Sequence, residues 1–401
     1  MNALAPLAKR CALAAIAALL LFSSAYSQSP PPADRQPERP LNLLVLGDSI
    51  LWGQGLRDEH KSWYLVKTWL QQAAGREVRE RIEAHSGAVI GSADDFGDSR
   101  NAVAALDGEI SRAYPTVNNQ IDNAIKSYAD PAQVDLVLVD GCINDFDSRR
   151  LLNAANTPGK IHELAQANCG PPVEALLTRI TRTFPNAHVV VTGYYPILTE
   201  KTPNDLFIRA LTKRLYGPEP GDAKLNDKQM RARLIANSRE WYQTSDQILS
   251  AAARKIDAEQ RAKGSHQRVV FADAGFGPEH SFAASKSRLW GFDASALRKL
   301  LVVFTLGRVT LKTNDERRHQ RSELCENVFT RPANEDPNEK AMRKDRLMRC
   351  RLAALGHPNR KGAAMYADAI GRLLKQLIND TGWLAPAPAA PLPDNPLQSV
   401  P

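Results

Sequence analysis

The sequence lacks any apolar run long enough to cross a membrane, and it shows no internal repeat. A spanning helix needs about 20 apolar residues, whereas the longest apolar stretch, Cys11–Phe22, holds about a dozen. Cysteine is also scarce, and no Cys-x-x-Cys or paired-histidine spacing indicates a zinc site. These absences exclude a polytopic membrane protein and leave a zinc-binding module without support.

What is present is ordinary for a globular protein. Hydrophobic residues make up 43% and charged residues 24% of the 401 residues, which excludes a mainly disordered or collagen-like chain. This length suits two or three average domains, or one α/β domain with insertions. The formal charge of +8 favours anionic partners such as nucleic acid, phospholipid headgroups or acidic glycans, but the excess is too modest to select one.

The N-terminus has the pattern of a secretory signal peptide. Lys9 and Arg10 precede the apolar run, and small residues follow it up to Ser27. We therefore expect residues 1–27 to be removed, so that Gln28 begins an exported, soluble protein in the periplasm or outside the cell. An N-terminal membrane anchor is the alternative.

Export determines how the remaining cysteines are interpreted. Four are left after removal of the signal peptide: Cys142, Cys169, Cys325 and Cys350. An even number in an oxidising compartment predicts two disulfides. Three connectivities are open, of which Cys142–Cys169 with Cys325–Cys350 has the shortest loops.

The ends of the chain and two long connections stand apart from the core. Pro-rich residues 28–40 predict a linker, and Ala/Pro-rich residues 384–401 predict a disordered tail. Residues 41–383 predict one α/β domain with insertions at about 198–228 and 275–349, which exceed the usual loop length.

The second insertion is rich in charge from Lys312 onward, with arginines such as Arg321 and Arg343. This composition predicts a solvated helical insertion. The alternative is a lid, or a docking surface for an anionic interface such as a membrane.

Apolar runs alternate with amphipathic segments within the domain. This alternation predicts βαβ units and a three-layer α/β/α fold around a parallel sheet of about five strands. Continuous apolar runs indicate strands covered on both faces, whereas the more polar Val78–Ala84 suits a sheet edge. The predicted strands are Leu41–Leu46, Val78–Ala84, Val134–Asp140, His188–Gly193 and Arg268–Asp273. The predicted helices are Ser62–Ala74, Val117–Tyr128, Val173–Phe184, Asp227–Lys263 and Pro358–Asp380.

Residues that could take part in catalysis follow three of these strands and precede the last helix. Gly47-Asp48-Ser49 comes directly after the first strand, where ligands bind in open α/β sheets. Gly87 follows the second strand, and Asn144 with Asp145 follows the third. His357-Pro358-Asn359 stands just before the last helix. Each motif alone fits an ordinary turn or cap, but their joint order is not expected by chance.

These motifs resemble those of the SGNH family of esterases and lipases, also called GDSL hydrolases. Gly47-Asp48-Ser49 matches the nucleophile block, and Gly87, Asn144-Asp145 and His357 match the three later blocks. The resemblance implies a flavodoxin-like fold and hydrolysis of carboxylic esters without a metal or cofactor. It also implies that Ser49 is the nucleophile, that His357 is the general base, and that Ser49, Gly87 and Asn144 form the oxyanion hole.

The chain departs from the family pattern in two places. Ala354 stands three residues before His357, where the family usually has the acid of the triad. Either a backbone carbonyl orients His357, or an acid comes from elsewhere; the acids considered are Asp273, Asp293 and Asp345. In addition, two residues rather than one separate Gly141 from Asn144, so the local backbone is expected to differ.

The predicted substrate is an ester of a lipid or of a small acylated molecule. His280, in a segment similar to extracellular lipase-like members, is a candidate for the substrate cleft. The alternatives are a carbohydrate O-acetyl esterase and an SGNH-fold binding protein with a disabled site. No recognised nucleic-acid module is present, so a nucleic-acid partner is not expected.

Overall fold

The structure is a computed structural model that describes residues 39–91, 108–110, 116–205, 208–209, 224–293, 312–330 and 336–384. The expected signal peptide, nearly all of the linker, and the tail after Leu384 lie outside the described residues. The domain boundaries therefore stay predictions.

Five parallel strands form one sheet in the order β2-β1-β3-β4-β5. The central strands are almost wholly buried, whereas β2 lies at an edge and exposes Arg79 and Glu80, as its polar sequence predicts. All five predicted strands are confirmed, and four of them end one or two residues earlier than expected. Their bounds are β1 Leu41–Leu46, β2 Val78–Ile82, β3 Val134–Val139, β4 His188–Thr192 and β5 Val269–Ala272.

Helices cover both faces of the sheet, which confirms the three-layer α/β/α fold. On one face Leu43 packs in a cluster with Trp69 of α2, and α9 contributes to the same cluster. On the other face Leu44 packs in a cluster with Trp241 of α6, together with side chains of α3 and α5. The helices are α1 Ser49–Trp52, α2 Ser62–Ala74, α3 Val117–Ser127, α4 Ile143–Phe146, α5 Pro158–Thr183, α6 Asp227–Ala262, α7 Arg318–Val328, α8 Pro337–Arg351 and α9 Arg360–Thr381.

Helix α5 is much longer than expected. The predicted helix begins at Val173, directly after Pro171 and Pro172, and prolines normally break a helix because they lack an N–H donor. In the structure α5 begins at Pro158 and runs through both prolines. Its first half buries Ile161 and Cys169 in the core, and this packing outweighs the local preference.

The second insertion contains two helices, α7 and α8, as its composition predicts. The Cys325–Cys350 disulfide joins them, and the second disulfide joins Cys142 to Cys169. Two disulfides are thus present as predicted, in the connectivity with the shortest loops. None of the helices that the structure describes is both long and apolar enough to cross a membrane.

Candidate active site

The turn after β1 presents Ser49 at the carboxyl edge of the sheet. Ser49 is the first residue of α1, and the side chain of Asp48 caps this helix by accepting a hydrogen bond from the Ile50 N–H at 2.9 Å. Strand β1 lies between β2 and β3, at the point where the strand order reverses and open sheets bind their ligands. The fold therefore places the Ser49 hydroxyl in the expected crevice.

Asp140, at the end of β3, holds this turn in place. Its carboxylate accepts hydrogen bonds from the N–H groups of Asp48 and Leu51 at 2.6 and 2.9 Å. A Cβ atom on Gly47 would lie 1.8 Å from Asp140 Oδ1, and the φ of Gly47 is +132°. Only glycine therefore fits the first position of the Gly-Asp-Ser motif. The sequence predicted no role for Asp140.

Burial affects the ionisation of both carboxyl groups beneath Ser49. Loss of solvent raises the pKa of Asp48 to about 6, although hydrogen bonds from Ile50 and Tyr194 act in the opposite direction. The pKa of Asp140 is raised well above its ordinary value by burial and by the nearby Asp48 charge. Both groups therefore hold protons more readily than exposed aspartates.

Ser49 and His357 meet although 308 positions separate them in the chain. Ser49 Oγ lies 2.7 Å from His357 Nε2, which is hydrogen-bonding distance. His357 as a residue is half-buried, but its Nδ1 atom is fully enclosed. This enclosure lowers the pKa of His357 to about 4, while backbone groups of Ala354 and Leu355 act in the opposite direction. The imidazole is therefore neutral near pH 7 and able to accept a proton at Nε2.

None of the three candidate acids, Asp273, Asp293 and Asp345, accepts a hydrogen bond from the His357 imidazole. Asp273 accepts hydrogen bonds from the Tyr242 hydroxyl and from the Gly275 N–H. Asp293 pairs with Arg318, and Asp345 pairs with Arg349. Among the residues that the structure describes, His357 Nδ1 has no hydrogen-bond partner. The described part of the site thus holds a Ser–His pair in which no carboxylate contacts the ring.

Leu289 and Trp290 hold the loop that carries His357 through backbone hydrogen bonds. The Trp290 N–H donates to the His357 carbonyl at 2.7 Å, and the Gly356 N–H donates to the Trp290 carbonyl at 2.9 Å. Leu289 also forms an isolated bridge with Pro358. The segment Leu289-Trp290-Gly291 therefore supports the histidine loop.

The loop that carries Gly87 contacts the short helix α4, which carries Asn144. Gly87 has a φ of +80°, and the Asn144 side chain donates to the carbonyl of the next residue, Ala88, at 2.8 Å. Asp145 accepts from the Ile90 N–H at 2.9 Å, and burial raises the pKa of Asp145 to about 7. Hydrogen bonds thus join the segment after β2 to the segment after β3, and these two strands lie on either side of β1.

The backbone before Asn144 has an uncommon conformation at the position of the extra residue in this motif. Cys142 has a φ of +124°, a region that side chains rarely adopt, and it forms the N-cap of α4. Its disulfide to Cys169 ties this turn to α5.

His280 is engaged within its own loop. Its Nδ1 accepts from the Gly277 N–H at 3.1 Å, and its Nε2 lies 3.6 Å from Glu279. Partial burial lowers its pKa. No contact among the described residues joins the His280 ring to Ser49 or His357, so its place in a substrate cleft stays a prediction.

One arginine of the charged insertion is not solvated. The side chain of Arg321 is fully buried and pairs with Glu109 and Asp315. It also approaches the Arg351 carbonyl at 3.3 Å, shortly before the histidine loop. Nothing in the sequence distinguished Arg321 from its exposed neighbours, because its acidic partners come from distant segments.

Comparison with known proteins locates similar structures only. No family model and no curated protein matches the chain. A phospholipase A1 from Streptomyces albidoflavus shares 13% identity and a TM-score of 0.36, over 67% of this chain and 100% of the other. An extracellular lipase from Streptomyces rimosus shares 15% identity and a TM-score of 0.35, over 67% and 99%. A carbohydrate acetylesterase from Sinorhizobium meliloti shares 17% identity and a TM-score of 0.29, over 67% and 96%. By their names, these three similar structures are a phospholipase, a lipase and an acetylesterase.

Proposed function

We propose that the protein is a serine ester hydrolase of the SGNH type, with Ser49 as the nucleophile and His357 as the general base. The observation that carries this proposal is the 2.7 Å contact between Ser49 Oγ and His357 Nε2. A serine hydroxyl is a weak nucleophile until a base removes its proton, and a neutral imidazole at this distance can do so.

The reaction follows from this pair. His357 accepts the hydroxyl proton while Ser49 Oγ bonds to the carbonyl carbon of the ester. The tetrahedral intermediate then expels the alcohol, which takes the proton from His357, and an acyl-enzyme remains on Ser49. Water, deprotonated by the same imidazole, then attacks the acyl carbon. The bond from this carbon to Ser49 Oγ breaks, His357 returns the proton to Ser49 Oγ, and the acid is released. The cycle consumes one ester and one water and needs no further reactant.

The negative charge of the intermediate needs fixed donors. We assign this role to the N–H groups of Ser49 and Gly87 and to the side chain of Asn144. The Asn144 amide carries two N–H bonds, of which one is donated to the Ala88 carbonyl, so the other is available to substrate. Removal of one such donor typically lowers turnover by about 10²–10³-fold.

The assay for this proposal is hydrolysis of a short p-nitrophenyl ester, together with labelling by a fluorophosphonate probe. The wild type should turn over the ester and be labelled, whereas Ser49→Ala should do neither. Ser245→Ala is the matched control, because Ser245 is also buried but lies in α6. Equal, negligible turnover in wild type and Ser49→Ala would instead support the alternative of a binding protein with a disabled site.

The substrate class belongs to the same proposal. We assign esters of lipids or small acylated molecules, with O-acetylated carbohydrate as the alternative. A panel of p-nitrophenyl esters from C2 to C16 and of acetylated glycans separates the two. Preference for acyl chains of C8 or longer would support a lipid ester as the substrate. Activity confined to acetyl groups on glycans would support a carbohydrate O-acetyl esterase.

We also infer export, which the two disulfides support because such bonds persist in oxidising compartments. The intact mass of the protein recovered from the periplasm or the medium should correspond to a chain that begins at Gln28 and has no free thiol. Recovery of a chain with five reduced cysteines and an uncleaved N-terminus from the cytoplasm would contradict export.

Helix α8 supports docking to an anionic membrane surface. None of its residues is buried, and it carries six cationic and two acidic side chains. Among the described residues, Lys340, Lys344 and Arg346 form no ion pair, and Met342 is 57% exposed. Basic clusters of this kind are attracted to anionic lipid headgroups.

Vesicle binding tests this surface without turnover in the Ser49→Ala background. Phosphatidylglycerol vesicles should retain the protein at low salt, and changing Lys340, Lys344 and Arg346 to Gln should weaken retention. Changing Lys224, Lys228 and Lys263 to Gln is the charge-matched control, because these lysines are exposed elsewhere. Equal loss in both variants, or equal binding to phosphatidylcholine, would overturn this surface as the docking site.

A further inference from the structure

Two consecutive tyrosines follow strand β4, and both are buried in the core. Tyr194 and Tyr195 are 1% and 6% exposed. Burial raises the pKa of each well above the ordinary value, so both remain neutral phenols that can donate a proton. Neither belongs to the Ser, Gly, Asn and His motifs identified from the sequence.

The Tyr194 hydroxyl connects two parts of the candidate site. It donates to Asp48 Oδ2 at 2.9 Å and accepts from the Ile143 N–H at 3.2 Å. Asp48 immediately precedes Ser49, and Ile143 immediately precedes Asn144. One hydroxyl thus links the turn that carries the nucleophile to the short helix that carries the oxyanion donor.

The Tyr195 hydroxyl reaches the third part. It donates to the Gly356 carbonyl at 2.9 Å, and Gly356 immediately precedes His357. The Tyr195 ring stacks on Phe276 with ring centroids 5.0 Å apart. The hydroxyl is therefore held by a ring that is itself packed in the core.

We propose that Tyr194 and Tyr195 are positioning residues that hold Ser49, Asn144 and His357 in one geometry. This inference rests on the proposed function. Its basis is that each of the three hydrogen bonds made by the two hydroxyls ends on the residue directly before Ser49, Asn144 or His357. Since β4 is a fixed central strand, the end of this strand serves as a common anchor for parts of the site that are distant in the chain.

Phenylalanine at either position removes the hydroxyl and keeps the ring. Tyr194→Phe leaves the Ile143 N–H and one Asp48 oxygen without their partner, and Tyr195→Phe frees the Gly356 carbonyl. Small misplacements of reacting groups lower rates strongly, by roughly 100-fold for 1 Å. We expect each variant to lower the acylation rate by about 10-fold or more, with little change in KM, because both hydroxyls hydrogen-bond within the protein.

Tyr366→Phe is the matched control. Tyr366 is buried, and its hydroxyl donates to the Gly193 carbonyl at 2.7 Å, at the end of the same strand. It contacts no residue adjacent to Ser49, Asn144 or His357 through this bond. The control therefore loses a comparable buried hydrogen bond beside the same two tyrosines, but one that does not end on the residue before Ser49, Asn144 or His357.

The experiment measures burst-phase acylation per fluorophosphonate-titrated site, together with thermal unfolding. Tyr194→Phe and Tyr195→Phe should acylate slowly at unchanged KM, and Tyr366→Phe should acylate like the wild type. Equal rates in all three variants, or losses that only follow the change in melting temperature, would overturn the positioning role. A wild type that is neither active nor labelled would overturn the proposed function instead.

A second measurement does not depend on turnover. The His357 imidazole can be titrated by NMR in the Ser49→Ala background, where the charged groups acting on it are Arg321 and Asp315. Tyr195→Phe should move the titration midpoint of His357 toward the value of an exposed imidazole, because the freed loop admits water. An unchanged midpoint in Tyr195→Phe, or an equal shift in Tyr366→Phe, would contradict the role of Tyr195.

Discussion

The guanidinium of Arg321 donates to the Glu109 carboxylate at 2.8 Å, and neither side chain is exposed to solvent. Glu109 also accepts from the Gly55 N–H at 3.1 Å, and Arg321 donates to Asp315 at 2.6 Å. The ion pair thereby joins α7 to the segment that follows α1. Gly55 lies six residues after Ser49, so the ion pair contacts the segment that follows the Ser49 turn.

Breaking this pair should destabilise the protein severely. Arg321→Met removes the buried cation that contacts both Glu109 and Asp315, and leaves Glu109 with the more distant Arg317 at 3.9 Å. Removal of one partner of a buried pair typically costs about 3–5 kcal/mol. The free energy of unfolding in urea measures this cost. Arg318→Met is the control, because Arg318 pairs with Asp293 at the surface, where such pairs contribute about 0–1 kcal/mol. Equal losses in the two variants would contradict the structural role of Arg321.

Gly47→Ala should abolish activity. The new Cβ would lie 1.8 Å from Asp140 Oδ1, at a φ of +132°, so the turn that carries Ser49 has to move. We expect the rate of ester hydrolysis to fall by about 100-fold or more, since misplacement of 1 Å has this effect. Gly264→Ala is the control: it has a φ of +71° but open space around it, so it should lower stability modestly and leave the rate per site unchanged. Full activity in Gly47→Ala would contradict the tight contact with Asp140.

Ester hydrolysis should persist at acidic pH. His357 must be neutral to accept the Ser49 proton, and burial lowers its pKa to about 4. Activity is therefore lost as the pH falls through about 4, not through the ordinary imidazole value of roughly 6.5. The profile of kcat/KM for an uncharged ester between pH 3 and pH 8 measures this limb. A midpoint near 6.5 would show that the imidazole is solvated in the working enzyme.

The Cys142–Cys169 disulfide should support activity in two ways: it cross-links the chain, and it maintains the positive φ of Cys142. Cys142 has a φ of +124°, two residues before Asn144, and the bond to Cys169 holds this conformation. In a Cys169→Ala background, Cys142→Gly should retain more activity than Cys142→Ala, because glycine adopts positive φ without strain. Rates per titrated site, measured beside the wild type, give the comparison. Equal activity of the two double variants would mean that activity does not depend on how easily residue 142 adopts a positive φ.

The layers of the fold follow from local patterns. Strands such as Leu41–Leu46 are continuous apolar runs, so they can only be covered on both faces, and the polar Val78–Ile82 can only lie at an edge. The start of helix α5 does not follow from local pattern. Pro171 and Pro172 disfavour a helix through this point, whereas residues before them, such as Ile161 and Cys169, are buried in the core of the folded chain.

The motifs of the candidate site were predictable for a different reason. Ser49, Gly87, Asn144 and His357 stand in a recognisable order, and the structure brings Ser49 and His357 into contact. Their supports were not predictable. Asp140, Tyr194, Tyr195 and Arg321 act through partners that are far away in sequence, and an aspartate, a tyrosine or an arginine at such positions has many ordinary uses.

The central claim is that Ser49 forms a covalent acyl-enzyme with the help of His357. Rapid acid quenching during hydrolysis of a p-nitrophenyl ester, followed by peptide mass spectrometry, tests it most directly. The acyl mass should appear on the peptide that contains Ser49 in the wild type, should be absent from Ser49→Ala, and should form far more slowly in His357→Ala. Turnover without an adduct, or an adduct on another residue that persists in Ser49→Ala, would contradict it.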